Sequence, residues 1–434
     1  MSISRHVSAS LAEDLEAPLI PRGRRVPFIV VTALFFLWAI PNNLNDILIK
    51  QFMKSFAMNR SSAAQVQMAF YLGYFLLAIP AGQLMRRVGY KTGVVTGLVL
   101  LGGGCWMFWP AANAGSYQLF LAAEFVIASG LSFLETAANP FIAQLGPSGS
   151  SERRLNLSQA FNPLGSITAV LIGTLFIFSG VELTQAQTAT MQAAGTYSAY
   201  LHAETMRVVT PYIVLGAVAL CWAVMVMLTK FPAVGVEDVS RDSVVSLGDV
   251  SLWEWHFVAA VLAQFLYVGA QVGTWSYFIP YVETATGVGE KAAGFMLTAT
   301  LGAFAVGRFS SAWLMRYFPA RVLLGVYAVV NVVLGLVAVT NSNWLGAVCL
   351  LTTSLFMSMM FPTIFALGLK GMGTKTKTAG SLMVMAILGG ALLTKLMGIV
   401  GDARGLQTAY MVPVGCFVGV AVYAWLWAER RGAS

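Results

Sequence analysis

This chain of 434 residues is poor in charge and very rich in apolar side chains. Only 10% of its residues are charged, whereas 58% are hydrophobic, and the mean hydropathy is +0.74. A chain of this composition cannot fold in water without exposing large apolar patches. The composition therefore excludes a soluble globular domain and predicts a protein embedded in a lipid bilayer.

Cysteine and histidine are also scarce. The cysteines stand in separate apolar runs without CxxC or metal-ligand spacing, so no metal site is expected. These are Cys105, Cys221, Cys349 and Cys416. The three histidines, His6, His202 and His256, lie near predicted helix ends or tails, which argues against a histidine relay inside the membrane. Any proton chemistry must fall to carboxylates, and we expect no cofactor and no enzymatic activity.

Long apolar runs are abundant, and each of about 20 residues can form one membrane-spanning helix. Polar or basic residues separate twelve such runs, and a polar tail, residues 1–26, precedes the first. The predicted spans are 27–50, 63–85, 92–112, 118–146, 154–180, 209–231, 253–282, 292–315, 320–340, 343–369, 377–400 and 407–428.

The basic residues indicate the orientation of these helices. Of the 26 lysines and arginines, 18 fall on the side that both termini share, 6 fall on the other side, and Arg308 and Lys395 lie within helices. Lysine and arginine are enriched in cytoplasmic loops, so both termini are predicted to be cytoplasmic. The net charge of +8 therefore reports topology, and we expect no binding to nucleic acid.

The two longest breaks divide the chain into halves. Residues 181–208 form a polar external loop, whereas residues 232–252 form an acidic internal linker with six helices on either side. A short repeat, Leu-Met-Arg at 84–86 and at 314–316, ends the second helix of each half. The sequence thus predicts an all-α membrane protein with six-helix bundles at 27–231 and 253–434 around a central cavity. Chance similarity and simple topology marking remain an alternative for the repeat.

Two carboxylates, Asp46 and Glu135, occur inside these apolar spans. An ionisable group in hydrocarbon costs at least a few kcal/mol, so it indicates a transport or proton pathway. Glu135 lies near the middle of its span, with Asn139 one helical turn further on the same face. Burial favours the protonated form of a carboxyl group, as a reversible proton site requires. A neutral structural glutamate remains an alternative.

Amide side chains accompany both acids. Asn42, Asn43 and Asn45 precede Asp46 and suit a hydroxyl-rich ligand, because an amide both donates and accepts hydrogen bonds. Alternatively, this cluster lies at the outer membrane interface. The fifth span carries amides at three-residue intervals, Asn156, Gln159 and Asn162, which indicate either a sugar-facing wall or hydrogen bonds between helices.

The second half offers Gln264, Tyr267, Gln271, Trp275 and Tyr277, amides and aromatic rings without a charge. Aromatic rings suit the apolar face of a sugar, although ordinary helix packing explains the same stripe. We expect Gln271 and Trp275 to bind substrate.

Three other charged residues lie within spans, and their roles stay open. We expect Glu124 to snorkel towards the outer surface, or else to form an outer step of a proton path, and Lys395 to snorkel. Arg308 either pairs with a carboxylate or holds an internal network.

Five stretches resemble the fucose permease branch of the major facilitator superfamily. They are Asn42-Asn-Leu-Asn-Asp-Ile-Leu48, Leu134-Glu-Thr-Ala-Ala-Asn-Pro-Phe141, Arg154-Leu-Asn-Leu-Ser-Gln-Ala-Phe-Asn162, Tyr267-Val-Gly-Ala-Gln271 with Trp275-Ser-Tyr277, and Phe361-Pro-Thr-Ile-Phe365. The resemblance extends from about Pro27 to the twelfth helix. It departs from the superfamily's usual loop after the second helix, where Arg86 stands in place of an acid.

The resemblance implies the major facilitator fold and proton-coupled uptake of a monosaccharide by alternating access. It implies proton-coupling roles for Asp46 and Glu135, and a sugar cavity lined by Asn43 and Asn162. L-fucose is the expected substrate; glucose, galactose or another sugar is the nearest alternative. A drug:proton antiporter or a non-transporting sugar sensor is a further one. We expect a monomer in the bacterial inner membrane, with protons, sugar and lipid as its partners.

Overall fold

A computed structural model describes residues 18–58, 65–179, 181, 183–232, 252 and 254–428. All regular structure in these residues is helical. Most of the predicted tail, residues 1–26, and of the predicted linker, residues 232–252, lies outside the described residues.

The helices follow the predicted apolar runs closely. Their bounds are α1 Arg25–Ser55, α2 65–88, α3 90–106, α4 Tyr117–Gln144, α5 Ser151–Ile177, α6 Val209–Leu228, α7 Trp255–Ser276, α8 Glu290–Leu314, α9 Ala320–Thr340, α10 Trp344–Leu369, α11 Thr376–Arg404 and α12 Met411–Leu426. Shorter helices Phe108–Asn113, Gln185–Ala193, Tyr197–Met206 and Phe278–Thr286 connect them.

The number of crossings is settled at Gly89. Eleven helical runs in the described residues are long and apolar enough to cross a membrane, and one of them, Gln65–Asn113, has 49 residues. This is about twice the length that one crossing needs. Gly89 interrupts it with φ 85° and ψ 171°, a backbone conformation that is essentially restricted to glycine. The run therefore forms two crossings, α2 and α3, and the prediction of twelve membrane helices is confirmed.

Several crossings are broken where polar side chains gather. The helix of α5 is interrupted after Gln159 and resumes at Asn162, and α10 is interrupted between Met357 and Met360. Irregular backbone at membrane depth is tolerated where protein or a water-filled cavity surrounds it. These breaks therefore mark protein-facing parts of the helices.

One compact unit contains residues 34–135 and 164–230. Its helices approach closely at glycine: a Cβ placed on Gly130 would come within 2.6 Å of the Gly97 carbonyl oxygen. In the last part of α1, the Lys54 ammonium pairs with the Glu204 carboxylate at 3.1 Å, and Gln51 donates to the Glu204 carbonyl oxygen at 2.8 Å. These bonds fix α1 to the helix Tyr197–Met206.

The other compact unit contains the described residues up to Ala33, 136–163 and 231–428. Here the first segment of α5, Ser151–Gln159, packs against α8 and the second segment of α10. Glu152 forms an ion pair with Lys370, and the Asn156 amide donates to the Thr363 hydroxyl at 3.0 Å. The division into bundles at 27–231 and 253–434 stays a prediction.

Replacing Gly89 by alanine should destabilise the protein, because its φ of +85° strains any side chain. The expected cost is about 1–3 kcal/mol. Gly103→Ala is the matched control, since Gly103 is exposed in regular helix and its new Cβ would meet nothing within 4 Å. Apparent melting temperatures in detergent compare the two variants, and equal values would contradict the argument.

Candidate functional site

Glu135 lies in the middle of α4 and is only 7% exposed. Its Oε1 accepts a hydrogen bond of 3.0 Å from the Tyr74 hydroxyl of α2. The Ser132 hydroxyl donates to the Tyr74 carbonyl oxygen at 3.0 Å, which joins the same two helices one turn away. The carboxyl group is therefore desolvated and held in a defined direction by a neutral donor, an arrangement suited to reversible protonation.

The asparagines of α1 lie in different surroundings. Asn43 is half-buried, and its amide donates to the Ala39 carbonyl oxygen at 2.7 Å and to the Ser166 hydroxyl of α5 at 2.9 Å. Asn42 is exposed, whereas Asn45 is buried. Asp46 belongs to the continuous helix α1, but its side chain lies outside the described part of the structure. The proton-coupling role of Asp46 stays a prediction.

In the second compact unit, a chain of buried hydrogen bonds links α8, α5 and α4. Nη1 of Arg308 donates to Oε1 of Gln159 at 2.7 Å and to the Gln159 carbonyl oxygen at 2.9 Å. Nε2 of Gln159 in turn donates to Oδ1 of Asn139 at 2.9 Å. The three side chains are at most 5% exposed. Arg308 thus holds an internal network, one of the two expectations for it.

The charge of Arg308 sets the direction of both amides. A guanidinium has donors only, so it requires the oxygen of the Gln159 amide to face it. The nitrogen of Gln159 then faces Asn139 and requires that residue's oxygen. The ring of Phe304 lies 4.8 Å from the Arg308 guanidinium and adds a cation–π contact.

Helix α7 contributes aromatic and amide groups to the same unit. Nε1 of Trp275 donates to the Ser354 hydroxyl at 3.0 Å, and its ring meets Phe304 edge-on at 5.0 Å. Gln271 is half-buried. Gln264 and Tyr267 are fully buried, and in the described residues neither amide atom of Gln264 has a hydrogen-bond partner.

The three amide side chains of α5 have different surroundings. Asn156 and Gln159 form hydrogen bonds between helices, one of the two interpretations that the sequence left open. Asn162, beyond the break, is half-buried. Binding of substrate by Asn42, Asn43, Glu135, Asn139, Gln159, Asn162, Gln271 and Trp275 stays a prediction.

Sequence reasoning missed Tyr74 and misjudged Glu124. A tyrosine in an apolar helix carries no local sign of its partner, which comes from another helix. Glu124 was expected to snorkel outward, but its side chain is fully buried, so that expectation is wrong. Lys395 is exposed, as expected of a snorkelling lysine.

Three cysteines are buried and Cys221 is exposed, and no metal-binding group of acids, cysteines or histidines occurs within the described residues.

Replacing Gln159 by leucine should destabilise the protein by about 2 kcal/mol, because a buried cation loses an acceptor. Adding Arg308→Met removes that cation and should recover part of the loss. Apparent melting temperatures of the two single variants and the double variant measure this coupling. Losses that simply add would contradict the network, and Gln271→Leu, at a half-buried amide, is the control.

Both the sequence and the structure of this chain are similar to those of known proteins. The model of the Major Facilitator Superfamily matches residues 27–394. The L-fucose-proton symporter of Escherichia coli strain K12 is 43% identical over 412 residues, 93% of each chain. A glucose/galactose transporter of Brucella abortus is 34% identical over 399 residues, 91% of this chain and 92% of that protein.

Among solved structures, that of the E. coli fucose:proton symporter FucP matches with a TM-score of 0.84 and 42% identity. The match covers 94% of this chain and all of the other. The family match and the relatives both span nearly the whole chain. The chain belongs to the Major Facilitator Superfamily.

Proposed function

We propose that this protein takes up a monosaccharide together with a proton by alternating access, and that L-fucose is the substrate. The observation that carries the proposal is the buried carboxyl group of Glu135 at membrane depth, which accepts a hydrogen bond from the Tyr74 hydroxyl. The similarity to the L-fucose-proton symporter of E. coli supports this function and substrate.

The proton has a physical role in this cycle. Protonation removes the charge of Glu135, and a neutral carboxyl group can move through a desolvated site at much lower cost. A ligand shifts a conformational equilibrium only through its different affinity for the two states. We expect the proton on Glu135 and the sugar to favour the same change of state, so that they cross together. Asp46 is the second proposed proton-coupling residue.

The sugar would be recognised by amides and aromatic rings. The amide of Asn139 is oriented by the hydrogen bonds that link Arg308, Gln159 and Asn139. The Asn43 nitrogen already donates to two protein oxygens, so its Oδ1 is the atom that would accept a hydrogen bond from the sugar. Trp275 offers an aromatic face. A vicinal diol both donates and accepts hydrogen bonds, as these groups require.

A second candidate is transport of glucose or galactose. The relative from Brucella abortus that is named a glucose/galactose transporter supports it. Hexoses that differ in one hydroxyl group present the same chemistry to amides. Uptake competition between L-fucose, D-glucose and D-galactose distinguishes the two candidates.

The proposal also covers the protein's location, its orientation in the membrane and its oligomeric state. We place the protein in the bacterial inner membrane with both termini in the cytoplasm, because basic residues dominate the loops on their side. One chain supplies all the groups named above, so the transporter would work as a monomer. The reaction needs no cofactor, since the proton gradient drives it.

Glu135→Gln should abolish net accumulation of sugar, because an amide cannot carry the proton. Exchange of external for internal sugar needs no net proton movement, so it should continue. Both are measured with radiolabelled L-fucose in proteoliposomes. Asp402→Asn, at an exposed acid, is the matched control and should retain both activities. Accumulation by Glu135→Gln at the wild-type level would contradict the assigned role.

Tyr74→Phe should shift the pH dependence of uptake upward by about one pH unit. The hydroxyl donates to Glu135, so its loss removes stabilisation of the ionised carboxylate. A hydrogen bond to a charged group contributes about 1.5–3 kcal/mol, and 1.4 kcal/mol corresponds to one pH unit. Uptake rates measured across a pH series give the shift. An unchanged profile, or a downward shift, would contradict it. Tyr317→Phe, at an exposed tyrosine of the other compact unit, is the control.

A further inference from the structure

Glu124 is a buried acid that the proposed cycle does not use. It lies on α4 eleven residues before Glu135, and none of its side chain is exposed. Its Oε1 accepts a long hydrogen bond of 3.4 Å from the Tyr212 hydroxyl of α6, whereas Oε2 has no partner in the described residues. The carboxyl group is therefore enclosed by protein but almost without hydrogen bonds.

Every titratable group that faces Glu124 in the described residues is neutral in its ordinary form. From α6 this group is the Tyr212 hydroxyl, and from α3 it is the buried thiol of Cys105. No described lysine, arginine or histidine pairs with this carboxyl group. An unpaired buried charge costs several kcal/mol, so this site accommodates the carboxylic acid and not the carboxylate.

A cluster of aromatic rings separates Glu124 from the outer end of α4. Phe108 stacks on Tyr212 with centroids 3.7 Å apart, and Phe120, one turn before Glu124, meets Phe108 at 5.1 Å. Phe52 of α1 joins this cluster through Phe120 at 4.8 Å. The cluster joins α4 and α6 to the helix Phe108–Asn113 that follows α3. Water reaches the carboxyl group only if these helices separate.

An apolar layer also separates Glu124 from Glu135. Eleven residues of helix place the two acids about 16 Å apart. Ala128 and Leu131, which follow Glu124 on the same side of α4, are fully buried, and Gly130 lies against the backbone of α3. Ser132, the polar residue one turn before Glu135, donates its single hydroxyl hydrogen to the Tyr74 carbonyl oxygen of α2. Glu124 is thus not an outer step of a continuous proton path to Glu135.

We propose that Glu124 is a second proton-binding site, independent of Glu135, and that its proton holds the outer ends of α3, α4 and α6 together. Loss of this proton leaves an unpaired carboxylate beneath the aromatic cluster. The charge requires water, so the helices around it must separate. External pH thereby acts on the conformation of the transporter in addition to driving the transport itself.

The test uses the purified full chain without sugar, so its outcome does not depend on the proposed transport function. Apparent melting temperature is measured from mildly acidic to alkaline pH for the wild type, Glu124→Gln and the exposed control Asp402→Asn. The unfolded chain loses the Glu124 proton above about pH 4–5, whereas the folded chain retains it, so the wild type and the control should lose stability as pH rises through the mildly acidic and neutral range. Glu124→Gln, which has no proton to lose there, should fall less, by a margin of about 2–4 °C. Parallel curves for all three would overturn the proposal.

A second measurement tests the same proposal even if the Glu124→Gln variant does not fold. The infrared carbonyl band of a protonated carboxylic acid is followed in the wild type and in Tyr212→Phe, which removes the only hydrogen-bond donor to Glu124 in the described residues. A band that moves in Tyr212→Phe and vanishes at alkaline pH supports the proposal. Identical spectra of the two proteins would overturn it.

Discussion

The scarcity of water inside a membrane is the constraint on which this structure depends. A polar group at that depth needs a partner within the chain, or it destabilises the fold. Arg154, which is fully buried beside the connection between α4 and α5, shows the same need for partners: its guanidinium donates to the carbonyl oxygens of Ile142, Ala143 and Pro147 and to the Ser150 hydroxyl. Nη1 of Arg308 meets the same requirement through two neutral oxygens of Gln159. The few charges of the chain therefore determine where helices meet.

The same constraint separates structural from functional polar groups. Each guanidinium nitrogen of Arg154 donates to an acceptor, and these hydrogen bonds close the connection between α4 and α5. Glu135 accepts a hydrogen bond from the Tyr74 hydroxyl, and Glu124 accepts one from the Tyr212 hydroxyl. A tyrosine hydroxyl can donate a hydrogen bond to a carboxylate and accept one from a carboxylic acid, so it does not fix the protonation state. Two similar pairs, Tyr74 with Glu135 and Tyr212 with Glu124, are thus the proposed protonation sites at two depths of one helix.

Much of the architecture could be predicted from the sequence, because a run of about 20 apolar residues is enough to predict a membrane-spanning helix. The ends of α6 and α9 agree with prediction to within a few residues. The acids were found because a charge stands out in an apolar run. Their partners could not be found in this way: Tyr74 is 61 residues from Glu135, and Gln159 is 149 residues from Arg308. Burial of Glu124 was missed because snorkelling depends on which neighbours surround the helix.

The central claim is that sugar and proton move together through this chain. The most direct measurement is the change of pH outside proteoliposomes when L-fucose is added without any imposed gradient. The account predicts immediate alkalinisation of the outside that saturates with sugar concentration and is abolished by a protonophore. Sugar entry without any pH change, from protein shown to be folded, would contradict it and would leave a passive carrier instead.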